Sequence, residues 1–245
     1  MQSGGHDAAV FRTTHWSRVA RAAAPVQPEG QAALAEMCHD YWPPLYAFAR
    51  RMGRSPQDAE DLTQSFFAAL IEKNTLAAAE QSRGKLRTFL LAAFQHHIAD
   101  VAKHDHALKR GGGMETLSID TAEAEEWFAC EPAERETPAT LYHRRWAMLL
   151  LERALDQLEA ERAAAGHGAE VAVLRPFLSL TVSGAATYEE AAKQLGWTVN
   201  ATRVAVFRLR ARYRELLLDL VASTLDHENL STVEAEMREV LAALS

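Results

Sequence analysis

The sequence predicts an all-α protein built as two small helical domains. Strand-like alternation of β-branched residues is nearly absent, while alanine, leucine, glutamate and arginine recur at three- and four-residue spacing. Helix-start signatures stand ahead of several of these apolar stripes. At 245 residues, 48% of them hydrophobic, the chain has enough apolar material for two cores, and it shows no internal repeat of fixed period.

Residues 1–30 read as an N-terminal extension. Residues 1–18 lack the apolar core of a signal peptide, and the apolar-basic segment 16–24 stops at Pro25 and Pro28. From Gln31 onward Leu34, Met37, Cys38 and Tyr41 mark one helical face. Pro43 and Pro44 are expected to break that helix before Leu45, Phe48, Ala49 and Met52 resume it. Ser55 is placed to cap the next helix, with Pro56 in the first turn, where its missing N–H costs nothing, and Asp58 favourable beside the helix N-terminus.

That next helix should bury Ala59, Leu62, Phe66, Ala69 and Leu70, leaving Asp58, Asp61, Gln64 and Ser65 on its other side. The two carboxylates have no partner group that would tune them for acid–base chemistry, so a docking face is the better reading. No enzyme activity is expected.

Residues 81–88, QSRGKLRT, form a polar basic loop leading into a further helix. Between Arg83 and Arg110 six Lys or Arg stand against Asp100 and Asp105, and the stretch holds His96, His97, His104 and His106. His96 or His97 with Asp100 has ligand spacing, but there is no HExxH and no third ligand at a compelling distance. Neither a metal nor another cofactor is expected. A basic helix lying along nucleic acid accounts for the same residues.

After Gly111, Gly112 and Gly113 the composition changes. Residues 113–138 carry eight acids against Arg135 alone, a local balance that equals the formal −7 of the whole chain. Residues 113–140 therefore read as an acidic flexible linker, with a first helical domain at 31–112 before it. Two cysteines, Cys38 and Cys130, fit a reducing compartment and no disulfide framework.

The second domain spans 141–218. Trp146, Leu150, Ala154 and Leu158 form a four-spaced stripe, widened by Leu151 and Leu155, and a short apolar helix at 171–180 lies between Gly and Pro breaks. Within 187–217, Thr187 and Glu190 form a capping box, Gly196 closes the first helix, and Thr198 caps a second running to about Leu217. Five arginines and no acid lie between Arg203 and Arg214. A capped helix, a glycine turn and a basic second helix match the geometry that places a helix in a major groove. Residues 219–245 form an acidic extension whose last short helix, to Leu244, has Ser231 and Glu234 as its capping box.

The order DAEDLTQSFF, RGKLRTFLLAAFQHHIAD, linker, TYEEAAKQLGWTVNATRVAVFRLRARYRELL resembles the extracytoplasmic-function sigma factors of the sigma-70 family. The likeness covers residues 34–217. It implies a region 2-like domain that binds core RNA polymerase and melts promoter DNA, and a region 4-like helix-turn-helix domain, with no intermediate domain between them. By that resemblance Asp61 and Gln64, flanked by Asp58 and Ser65, dock on a coiled coil of the polymerase clamp. The 81–88 loop and the helix after it melt and read the minus-ten element, with Arg83, Lys85, Arg87 and Lys103 holding the displaced strand beside His96 and Asp100, and Phe89 mostly structural.

Positions matching minus-thirty-five contacts are Arg203, Val204, Phe207 and Arg208. Along the second helix, Thr198 and Asn200 lie at the groove-facing start. Arg203 suits base edges, Val204 and Phe207 methyl contact, and Arg208, Arg210 and Arg212 phosphates. The acidic linker is implied to run through polymerase channels that otherwise hold nucleic acid. His96 stands where relatives commonly have asparagine, and Ala92 where they often have arginine. The expected partners are core RNA polymerase and promoter DNA, and an anti-sigma factor is a further partner that the resemblance allows. With no apolar run of membrane-spanning length, a cytoplasmic place of action without membrane contact is expected. The alternative is a stand-alone helix-turn-helix regulator binding duplex operators, which leaves the basic loop and its helix unexplained.

Overall fold

The computed structural model describes residues 28–73, 85–107, 121–130, 137–178, 187–225 and 230–244. Among these the regular elements are nine α-helices and one 3-10 turn, so the all-α expectation stands. The chain divides into two compact units, Met1–Tyr142 with Ala222–Glu228, and His143–Val221 with Asn229–Ser245.

The first unit is organised around α1 (Pro28–Arg51), α2 (Pro56–Glu72) and α3 (Leu86–Ala107). Contrary to the expected break, α1 runs straight through Pro43 and Pro44. Each proline removes a backbone donor and crowds the preceding turn, at a cost of about 3 kcal/mol. Tyr41, Trp42, Leu45, Tyr46 and Phe48, all buried, flank the pair, and burying side chains of this size contributes about 1.5–3 kcal/mol each. Packing therefore outweighs the local penalty. Gly53, at φ 86°, reverses the chain after α1 in the left-handed conformation that glycine adopts without strain.

Ser55 caps α2 as expected: its Oγ accepts from the Asp58 N–H at 3.1 Å and donates to the Asp58 carboxylate at 2.7 Å. Ala59, Leu62, Phe66 and Leu70 are buried, joined by Thr63 and Phe67. Phe94 of α3 sits where the three helices meet, edge-on to Phe48 of α1 and Phe66 of α2 with ring centroids 6.0 and 5.1 Å away.

The expected flexible linker contains an ordered element. Residues Thr121–Cys130 form α4, which packs against α1 with Ala124 buried. Glu125 anchors it, receiving Nε and Nη2 of Arg50 at 2.8 and 2.7 Å and the Tyr46 hydroxyl at 2.6 Å. The Arg50 guanidinium also lies 4.8 Å from the Phe128 ring centroid. Two charge-assisted bonds and a cation–π contact give this acidic segment a fixed seat that its composition alone does not suggest.

In the second unit α5 (Pro138–Ala164), which starts before the unit boundary, is followed by α6 (Gly168–Leu174) and the 3-10 turn Arg175–Phe177. The stripe Trp146, Leu150, Ala154 and Leu158 is buried as read. Then come α7 (Tyr188–Leu195), α8 (Val199–Ser223) and α9 (Leu230–Ala242). α8 extends six residues beyond the expected end at Leu217, and its Leu216, Leu217 and Val221 are buried. α9 begins at Leu230, which puts Ser231 inside its first turn. No described helix is long and apolar enough to cross a membrane.

Candidate nucleic-acid interface

The helix pair α7 and α8 is set by local chemistry. The Thr187 hydroxyl accepts from the Glu190 N–H at 3.2 Å while the Glu190 carboxylate accepts from the Thr187 N–H at 3.3 Å, which completes the capping box. Gly196, at φ 68°, ends α7, and the Trp197 N–H returns to the Ala192 carbonyl at 2.9 Å. Thr198 then caps α8, its hydroxyl accepting from the Ala201 N–H at 3.1 Å. Thr202, Val206 and Leu209 form the buried face of α8.

The opposite face presents Asn200, Arg203, Val204, Phe207 and Arg208 to solvent. Phe207 is 74% exposed and Val204 42%, so two apolar side chains stand among arginines on an open helix surface. An exposed phenylalanine gains little burial in the folded chain. The arginines have different fates. The guanidinium of Arg203 lies over the Tyr188 ring, 5.5 Å from its centroid, and Arg210 Nε donates to the Phe177 carbonyl at 2.9 Å. Arg212 is paired within the unit: it donates to both carboxylate oxygens of Glu161 at 2.9 and 2.8 Å and to Glu215 at 2.9 Å. The Glu161 bonds raise its pKa further above the ordinary arginine value. Arg212, expected among the phosphate contacts, thus has carboxylate partners within its own domain.

In the first unit, Asp58 and Asp61 are exposed on α2 and Gln64 is half-buried, its amide donating to Glu60 at 3.1 Å. Ser65 departs from the expected docking face. Its Oγ donates to or accepts from His97 Nε2 at 2.9 Å and bonds the Leu62 carbonyl at 3.1 Å, which turns it toward α3. Burial, then the charge of Lys73, lower the His97 pKa, with Asp100 acting the other way.

A groove of about 410 Å³ lies between α2 and α3, walled by Phe66, Leu70, Phe89 and Ala92 and edged by His96 and Asp100. Lys103 is exposed and pairs with Asp100 at 3.5 Å; Lys85 is half-buried. Arg87 is only 7% exposed, at the start of α3 where its carbonyl accepts from the Tyr142 hydroxyl at 2.8 Å. This corrects its expected place on a strand-holding surface, since so buried a guanidinium cannot lie along a phosphate backbone. Arg83 lies outside the described residues.

The Glu125 clamp and the Phe177–Tyr188–Arg203 contacts went unread in the sequence. In the first, the partners are 75 and 79 residues apart, and the only local hint is the one-turn spacing of Tyr46 and Arg50 on α1. In the second, the hint is an aromatic residue directly after the capping threonine.

Residues 37–104, which span most of α1, all of α2 and most of α3, match the family model for sigma-70 region 2. That segment of the chain is similar to region 2 of the sigma-70 family of sigma factors. No curated protein and no solved structure matches the chain significantly. Region 2 is the part of a sigma factor that binds core RNA polymerase and promoter DNA. The exposed carboxylates of α2 and the groove beside α3 lie inside the matched segment; the α7–α8 pair lies outside it.

Proposed function

We propose that this chain is a sigma factor of the extracytoplasmic-function type, with a region 2 domain at 31–112, a linker at 113–140 and a region 4-like domain at 141–218. The observation that carries the reading is the region 2 match followed downstream by a doubly capped helix pair with Phe207 and its neighbouring arginines exposed. On this reading Asp61, with Asp58 and Gln64, docks on the polymerase clamp. Lys85, Lys103 and the 81–88 loop hold the opened strand of the minus-ten element, and α8 reads the minus-thirty-five element through Arg203, Val204, Phe207 and Arg208. The groove between α2 and α3 supports the melting role. Its aromatic and apolar walls suit the face of an unstacked base and its His96 and Asp100 rim suits a polar edge, as extraction of a base from the stack requires.

The place of action is the cytoplasm, beside the polymerase. The stand-alone regulator is the weaker reading, because an operator-binding protein has no use for a region 2 domain. The two are separated by transcription in vitro with purified core polymerase on genomic fragments. The sigma reading expects discrete transcripts that depend on the chain, and tight binding to core with weak binding to free duplex. High affinity for duplex without core, and no transcripts with it, would reverse the choice.

A further inference from the structure

Three aromatic and basic groups in the second unit stand in sequence from core to surface. Phe177, in the 3-10 turn, is buried; Tyr188, the first residue of α7, is half-buried; Arg203, in the second turn of α8, is exposed. The Phe177 and Tyr188 rings stack with centroids 4.6 Å apart and an interplanar angle of 18°. The Arg203 guanidinium lies over the Tyr188 ring. The Phe177 carbonyl also accepts from Arg210 Nε, so the turn that seats the Tyr188 ring holds a second arginine of the same helix.

We propose that Tyr188 is a positioning residue that aims Arg203 and so sets the selectivity of the helix pair at one upstream base pair. The inference rests on the assignment of Arg203 to base-edge contact. An arginine reads guanine bidentately only when its planar fork is held in the plane of the base edge, whereas a free side chain of this length samples many rotamers. A ring fixed by the backing of a buried phenylalanine restricts those rotamers before DNA arrives, and the cation–π contact is of the strength found at exposed sites. Tyr188 itself touches no base in this scheme. Its effect passes through Arg203 alone, which distinguishes aiming from general support of the fold.

The test uses reconstituted holoenzyme and a library of promoters varied through the upstream element. Tyr188→Leu should lower discrimination at the base pair that Arg203 controls by about two- to five-fold, the range that an exposed cation–π contact converts to. Other positions should hold their preferences. Tyr188→Phe, which keeps the ring, should match the parent protein. In an Arg203→Ala background, Tyr188→Leu should add nothing further at that base pair.

Equal loss at all positions, or an undiminished effect of Tyr188→Leu without Arg203, overturns the proposal. If Arg203→Ala leaves every preference unchanged, the base-reading assignment itself is wrong and the aiming role falls with it. A selective Arg203→Ala with a silent Tyr188→Leu removes the aiming role alone. Should Tyr188→Leu lose its helix content, the unmutated full chain decides by NMR: the Arg203 Hδ protons should be shifted upfield by the ring current, and random-coil positions overturn the contact.

Discussion

Arg212 of α8 and Glu161 of α5 form a two-pronged ion pair, with both nitrogen–oxygen distances under 3 Å. The partners are about 39% and 36% exposed, so solvent screens the pair and it contributes at most about 1 kcal/mol. Arg208, beside the buried Leu209, is exposed on the face of α8 proposed to meet DNA. Arg212→Ala should therefore lower the thermal stability of the domain slightly and leave the salt dependence of promoter binding almost unchanged. Arg208→Ala should lower the salt slope by about one with little effect on melting. Thermal unfolding and a salt titration of holoenzyme binding read the two outcomes; a reduced slope for Arg212→Ala would return it to the phosphate contacts.

Glu125 seats α4 on α1, and its hydrogen bond from Arg50, ahead of the opposing effect of burial, holds its carboxyl below the usual glutamate range. A carboxylate with a depressed folded pKa contributes stability that is complete above its unfolded value near 4.5 and is lost as pH falls through the folded value. The seat should thus be intact at neutral pH and open in acid. Glu125→Gln keeps the shape but removes the charge-assisted bonds, which are worth about 1.5–3 kcal/mol in partly buried settings. Amide hydrogen exchange across residues 121–130 should be at least about ten-fold faster in that variant at pH 7. Exchange equal to the parent's would show that α4 is held by other contacts.

The helix starts were legible because their causes are local: Ser55 with Asp58, Thr187 with Glu190, and Gly196 each act within four residues. The unbroken α1 was not, since the burial that carries it past Pro43 and Pro44 is a property of the assembled core. The same limit applies at the surface. Arg87 and Arg212 read as cations available to nucleic acid, yet burial takes one, and an acceptor 51 residues away takes the other. The acidic composition around Glu125 was read correctly as charge and incorrectly as flexibility throughout, because the basic partner lies on α1. Ser65 fell to the same cause, its hydroxyl turned toward a histidine 32 residues on.

Asp61 is exposed on α2 while Ala59, Leu62 and Phe66 of the same helix are buried, so the two faces can be altered independently. Replacing Asp61 and Gln64 by lysine should change folding stability by less than about 0.5 kcal/mol per site, the usual range for surface positions. The double variant should bind core polymerase at least ten-fold more weakly, through lost contacts and reversed charge. Circular dichroism and a binding titration with core give both numbers, and a folded double variant with the parent's affinity would move the docking surface elsewhere.

Phe207 offers the sharpest separation of stability from recognition. Its ring is 74% exposed, while the buried face of α8 consists of Thr202, Val206 and Leu209. Removing a side chain that already faces water forfeits little burial, and alanine is the better helix former, so Phe207→Ala should leave unfolding within about 0.5 kcal/mol of the parent. A core phenylalanine removed in the same way would cost about 3–5 kcal/mol. If the ring meets a thymine methyl or the floor of the groove in the upstream element, the loss appears in holoenzyme binding, at about 1–3 kcal/mol and at the base pairs it covers. Melting temperature and promoter selectivity measured on one preparation distinguish the cases: unchanged melting with relaxed upstream preference supports the placement of α8 in the groove. Unchanged melting with unchanged preference would leave Phe207 to a protein partner and take the recognition surface off this face of the helix.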